Sequence, residues 1–158
     1  MRLRWASGTG RLNRRLARLF RRAFAGKKEE RRRKVETVKA FRGATTVDAN
    51  TREEILAATR ELLTELIGRN KIDPRRVISV IFTATPDLNA AFPAEAARQL
   101  GYDDWALLDS VEMAVPGSLP RCIRVLLHAY HGDADQEVHH VYLRAAKVLR
   151  PDRLPAGD

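Results

Sequence analysis

Val77-Ile78-Ser79-Val80-Ile81-Phe82 is the stretch on which the fold turns. All but one of its positions are apolar and most are β-branched, as expected of a central strand covered on both faces. Upstream, Thr51 is placed to cap a helix, and Glu54 three residues on completes a capping box. Ile55, Leu62, Leu63 and Leu66 form the buried stripe of that helix, Gly68 with Asn70 supplies its stop, and Pro74 lies beyond it. Val38-Lys39-Ala40-Phe41-Arg42 alternates well enough for a first strand. Downstream, Pro93 to Leu100 suits a short helix with proline in its first turn, closed by Gly101. Trp105 to Leu108, Arg121 to Tyr130 and Val138 to Leu149 read as strands, and Pro116-Gly117-Ser118 with Pro120 marks the loop feeding the second of these. The order β-α-β-α-β-β-β predicts an α+β fold: one mixed sheet of about five strands, with one long helix on one face and one short helix. A single helix cannot cover both faces of such a sheet. Association with copies of itself is the natural solution.

The length of 158 residues allows one domain with a modest core. Charge is unevenly placed. Residues 1–35 hold fourteen Lys/Arg against two acids, whereas residues 36–158 hold fifteen against eighteen. The basic character therefore belongs to an N-terminal extension, 1–35, and the domain proper, 36–158, is mildly acidic. That split argues against reading the whole protein as a nucleic-acid binder. Within the extension, Leu12, Leu16, Leu19, Phe20, Ala23 and Phe24 recur at helical spacing among six arginines, Arg11 to Arg22. The stretch is a basic amphipathic helix suited to an anionic surface, or a tail without a fixed structure; nothing in it has the spacing of a specific site. Arginines interrupt the N-terminus too often for a secretory signal, and no apolar run approaches a membrane span, so a cytoplasmic location is expected. The one cysteine, Cys122, excludes an internal disulfide and sits in an apolar strand, where a buried reduced thiol is expected.

Little conventional catalytic machinery is present. There is no Ser-His-Asp order, no Gly-rich phosphate loop and no metal-ligand cluster; His128 with His131, and His139 with His140, diverge on strands. What remains is a set of arginines with one tyrosine and one glutamate near strand ends, which reads as an anion site, with ordinary surface salt bridges as the bland reading of any one arginine.

Four segments taken together carry a resemblance. They are Phe41-Arg42-Gly43-Ala44-Thr45-Thr46-Val47; Ala84-Thr85-Pro86-Asp87-Leu88 running into Phe92-Pro93-Ala94; Cys122-Ile123-Arg124-Val125; and His140-Val141-Tyr142-Leu143 running into Val148-Leu149-Arg150-Pro151. In order and approximate spacing, from about Val38 to Asp152, they resemble the monofunctional chorismate mutases of the trimeric α/β type, the AroH class. The resemblance implies a homotrimer with clefts between neighbouring subunits, chorismate as substrate, and a pericyclic rearrangement needing no cofactor and no metal. It also implies roles. Arg124 matches the central arginine that reaches both the ether oxygen and a carboxylate; Arg42 and Tyr142 match the carboxylate binders; Glu112 matches the acceptor for the ring hydroxyl. Phe92 and Ala94 match the apolar wall across the subunit boundary, Arg98 an arginine at the pocket edge, and Leu149 with Arg150 the tail that closes over the ligand. Two positions depart from the family pattern. Glu95 stands where the family has a lysine, and Asp109 where well-known members have a cysteine, placing a second carboxylate near Glu112, with a raised pKa for one of the pair and an acceptor for the ring hydroxyl as its expected consequences. Those departures keep open a second reading, a non-catalytic trimer of the same fold that binds a small anionic metabolite. A third makes the N-terminal arm a tether to membrane or nucleic acid. A trimeric imine-hydrolase architecture does not call for this set of segments.

Overall fold

In a computed structural model, which describes residues 36–132 and 136–153, the sheet has five strands in the order β3-β2-β4-β1-β5. These are β1 (Thr37–Thr46), β2 (Val77–Ala84), β3 (Leu107–Val111), β4 (Cys122–His131) and β5 (Val141–Tyr142), with α1 (Arg52–Asn70) and α2 (Ala94–Gln99) between them. β4 runs antiparallel to both β1 and β2, while β3 lies parallel to β2 and β5 parallel to β1. The sheet is mixed, as the element order predicts. The proposed N-terminal helix lies outside the described residues.

Side chains alternate across the sheet, so register sorts them into an inner and an outer face. Val80, Leu127 and Phe41 lie abreast on the inner face, and Phe82 and Val125 lie one step along it. Against them pack Leu62, Leu63 and Leu66 of α1, all fully buried. Abreast of Val125 is Gly43, where a β-carbon would come within 3.0 Å of Leu62 Cδ1 and of Val125 Cγ1. Gly43 is there so that the helix can approach. The Thr51 hydroxyl accepts from the Glu54 N–H at 3.3 Å, as the sequence predicts.

Three expectations need correction. The helix stop is neither Gly68 nor Asn70. Lys71 adopts the left-handed conformation (φ 51°), and its N–H reaches Gly68 O and Ile67 O. Asn70 instead stays in the last turn with its side chain buried, donating to Leu66 O at 2.9 Å and His139 O at 2.7 Å and accepting from His139 N at 2.8 Å. The last strand is two residues long, Val141–Tyr142, rather than running to Leu149. Arg144 has φ 51°, which breaks the ladder, and Arg144–Leu149 winds as a 3₁₀ segment across the outer face. Finally, β2 is buried on one face only within the chain. Val80 and Phe82 are buried while Ile81 and Thr83 on the outer face stay partly exposed, and on β1, β3 and β4 Val38, Leu108 and Tyr130 of that face are 50%, 58% and 45% exposed.

Candidate active site

One transverse row on the outer face crosses all five strands: Ser110, Thr83, Arg124, Ala44 and Tyr142. The next row holds Leu108, Ile81, Leu126 and Arg42. The 3₁₀ segment closes one end of this surface, burying Ala146 with Ala44, Cys122 and Tyr142 and bringing Leu149 against them. Between these walls lies a cleft of about 450 Å³, lined among others by Arg42, Thr83, Arg124, Tyr142, Leu149 and Arg150. That volume suits a small metabolite.

Arg124 is the pivot. Its Nη1 lies 3.2 Å from Glu112 Oε2, and its side chain is 42% exposed against 10% for Glu112. Its buried Nε has no hydrogen-bond partner among the described residues, and neither does the buried hydroxyl of Tyr142. Buried donors are ordinarily satisfied, so two orphans beside one cleft are available to acceptors on a bound molecule. Arg42 sits on the same face with its side chain exposed, and its backbone N–H donates to His140 Nδ1 at 3.1 Å. Arg150 forms a two-point pair with Asp152, Nε to Oδ1 at 2.9 Å and Nη2 to Oδ2 at 2.8 Å. Cys122 is fully buried beside the arginine, and burial pushes its thiol pKa up, which suits the structural role expected of it.

The remaining predicted residues gather elsewhere in the chain. Phe92, 70% exposed, and Asp109 line a second cleft of about 500 Å³ together with Arg52, Leu88, Pro93 and Val111. Ala94 is buried, its N–H donating to Asp109 Oδ1 at 3.0 Å. Asp109 lies abreast of Phe82 on the inner side of the sheet, whereas Glu112 turns to the outer side. The expected coupling between these carboxylates is therefore replaced by another cause. Burial raises the Asp109 pKa, opposed by the Ala94 N–H and by the exposed Arg98. One oxygen of Asp109, an acceptor for the ring hydroxyl on the sequence reading, instead takes the Ala94 N–H at the start of α2. Glu95 is paired with Arg52 and accepts from Gln99 Nε2 at 3.2 Å, so its charge is balanced locally.

Sequence reasoning missed two contributors. Thr83 donates to Glu112 Oε1 at 2.6 Å from the row it shares with Arg124, and Asn70 pins His139 just ahead of β5. The only local sign of Thr83 is a hydroxyl ending an apolar run.

Comparison with known proteins follows the same lines. The family model for chorismate mutase type I matches residues 38–153. The chain belongs to the type I chorismate mutase family. The chorismate mutase AroH of Thermus thermophilus is 52% identical over 117 residues, 73% of this chain and 95% of that protein. The chorismate mutase AroH of Bacillus subtilis (strain 168) is 42% identical over 116 residues, 73% of this chain and 91% of that protein. Among solved structures, a chorismate mutase from Clostridium thermocellum superposes with a TM-score of 0.68 at 49% identity, over 70% of this chain and 98% of that one. As a member of the chorismate mutase family, the chain is an isomerase with an α+β mixed sheet, and the match begins just where the basic extension ends.

Proposed function

We propose that this protein rearranges chorismate to prephenate at a site completed by a second copy of the chain, in a cytoplasmic homotrimer. In that reaction the ether C–O bond breaks as a C–C bond forms, in one cyclic shift of electron pairs within a single molecule. No proton is exchanged and no nucleophile is needed, so the protein contributes positioning and fixed charge. The substrate carries two carboxylates, and negative charge grows on the ether oxygen as its bond stretches.

Arg124 carries this reading. With Nη1 anchored on Glu112 and Nε unpartnered, its planar fork has a donor free for the oxygen on which charge grows. Glu112 keeps the role of accepting from the ring hydroxyl. Arg42 and the Tyr142 hydroxyl are the carboxylate binders, and Leu149 with Arg150 closes the tail over the ligand. Arg150 reaches a substrate carboxylate by exchanging it for that of Asp152.

Phe92, Ala94, Arg98 and Asp109 are the contribution of a neighbouring copy. Two observations support this. Arg42, Arg124, Tyr142, Leu149 and Arg150 line one cleft of the chain while Phe92 and Asp109 line another, and the outer face exposes Val38, Leu108 and Tyr130. Apolar side chains exposed on one face of a sheet are buried by association. No observation favours the trimer that binds without turnover.

The test is the ultraviolet absorbance of chorismate with the purified full chain. Protein-dependent loss of chorismate with stoichiometric prephenate is expected; a rate no faster than buffer overturns the reading.

A further inference from the structure

We infer that Thr83 is a positioning residue for this reaction, setting the Glu112 carboxylate that in turn holds Arg124; the inference rests on the functional reading above. Thr83 and Arg124 are direct neighbours across β2 and β4, and Thr83 lines the same cleft. Its hydroxyl has one proton to give, and that proton goes to Glu112 Oε1 at 2.6 Å. The other carboxylate oxygen, Oε2, faces Arg124 Nη1 at 3.2 Å. Glu112 is thus held at three points, since its backbone N–H also donates to Ala84 O at 2.9 Å.

The arrangement matters because the carboxylate torsion of a glutamate is broad. An ion pair alone leaves the carboxylate free to swivel about the axis toward Arg124. The Thr83 hydroxyl removes that freedom, fixing the plane of the carboxylate and with it the direction in which the guanidinium presents its remaining donors. A nearly buried carboxylate also needs its oxygens satisfied, and Thr83 supplies one of the two partners. Thr83 therefore acts through Glu112.

A β-branched residue in a central strand has a packing role as well, and the choice of variants separates the two. Thr83→Val keeps the shape and loses the hydroxyl; Thr83→Ser keeps the hydroxyl and loses the methyl. For Thr83→Val, kcat for chorismate is expected to fall roughly 10- to 100-fold with KM within about threefold, while Thr83→Ser stays within about threefold of wild type. If the effect runs through Glu112, Thr83→Val on a Glu112→Gln background lowers kcat no further than about twofold. Wild-type turnover in Thr83→Val, equal losses in the valine and serine variants, or losses that multiply in the double variant each overturn the inference. Should the valine variant not fold, Thr83→Ala is set against Thr83→Ser and read the same way. A wild-type chain inert toward chorismate overturns the functional reading and this inference with it; an active wild type matched by Thr83→Val overturns the inference alone.

Discussion

Arg124 and Tyr142 flank Ala44 in one row of the sheet, two strands apart, and each keeps a buried polar atom without a partner among the described residues. Three strands are needed to make that arrangement, β1 from the start of the domain and β4 and β5 from its end. Its consequence is a pair of donors, one charged and one neutral, carried by strands whose register is fixed by backbone hydrogen bonds. Preorganisation of this kind is what a reaction without proton transfer requires.

In the proposed mechanism Arg124 is the residue whose partner gains charge in the transition state. Arg124→Ala is expected to lower kcat by about 10²- to 10³-fold, the loss typical of one well-aimed donor to a developing oxyanion. Arg124→Lys should recover little, because a compact ammonium cannot hold Glu112 and the substrate together. Near-normal turnover in the alanine variant, measured as prephenate formation, would remove Arg124 from the mechanism.

Arg42 lines the cleft one row further along, and in the proposed mechanism it binds a carboxylate whose charge is constant through the reaction. Arg42→Ala should therefore raise KM by about 10- to 100-fold, the equivalent of one charge-assisted hydrogen bond, with kcat within about threefold. A variant with unchanged KM and reduced kcat contradicts the assignment.

Gly43 is the point of closest approach between α1 and the sheet. Gly43→Ala should destabilise by about 1–3 kcal/mol through overpacking against Leu62 and Val125, read from the midpoint of urea unfolding. An alanine variant as stable as wild type means that the helix yields without cost.

Asp109 links stability to pH. Burial raises its folded pKa, so the folded chain holds this proton more tightly than the unfolded chain. Its contribution is most favourable below the unfolded value of about 3.9 and is lost as pH rises through the folded value, after which it stays level. Asp109→Asn removes that slope while keeping an oxygen for the Ala94 N–H. Denaturant unfolding at several pH values should show a flatter profile for the variant across this window, and an identical slope would assign the effect to another group.

Much of the fold is legible in the sequence because it is encoded locally. The Thr51 cap, the stripe Ile55–Leu66, the apolar β2 and the short helix after Pro93 each rest on spacing within one or two turns, and each is found close to where it is expected. The misreadings share a cause. Val138 to Leu149 has strand-like composition, yet it ends at Tyr142 because Arg144 turns back to bury Ala146, and its Nη2 pairs with Glu61 of α1 at 2.7 Å. The helix runs through Asn70 because that side chain has a distant partner at His139. No local pattern announces either contact.

The amino-acid sequence by itself determined the kinds of element, their order and the residue types available for an anion site, since caps, periodicity and apolar runs act between near neighbours. Only the tertiary structure decided that Thr83, Arg124 and Tyr142 share a row, that Glu112 turns to that row while Asp109 turns away, and that Phe92 belongs to another cleft. Register between strands is a property of their mutual packing, and a shift of one residue sends every side chain to the opposite face.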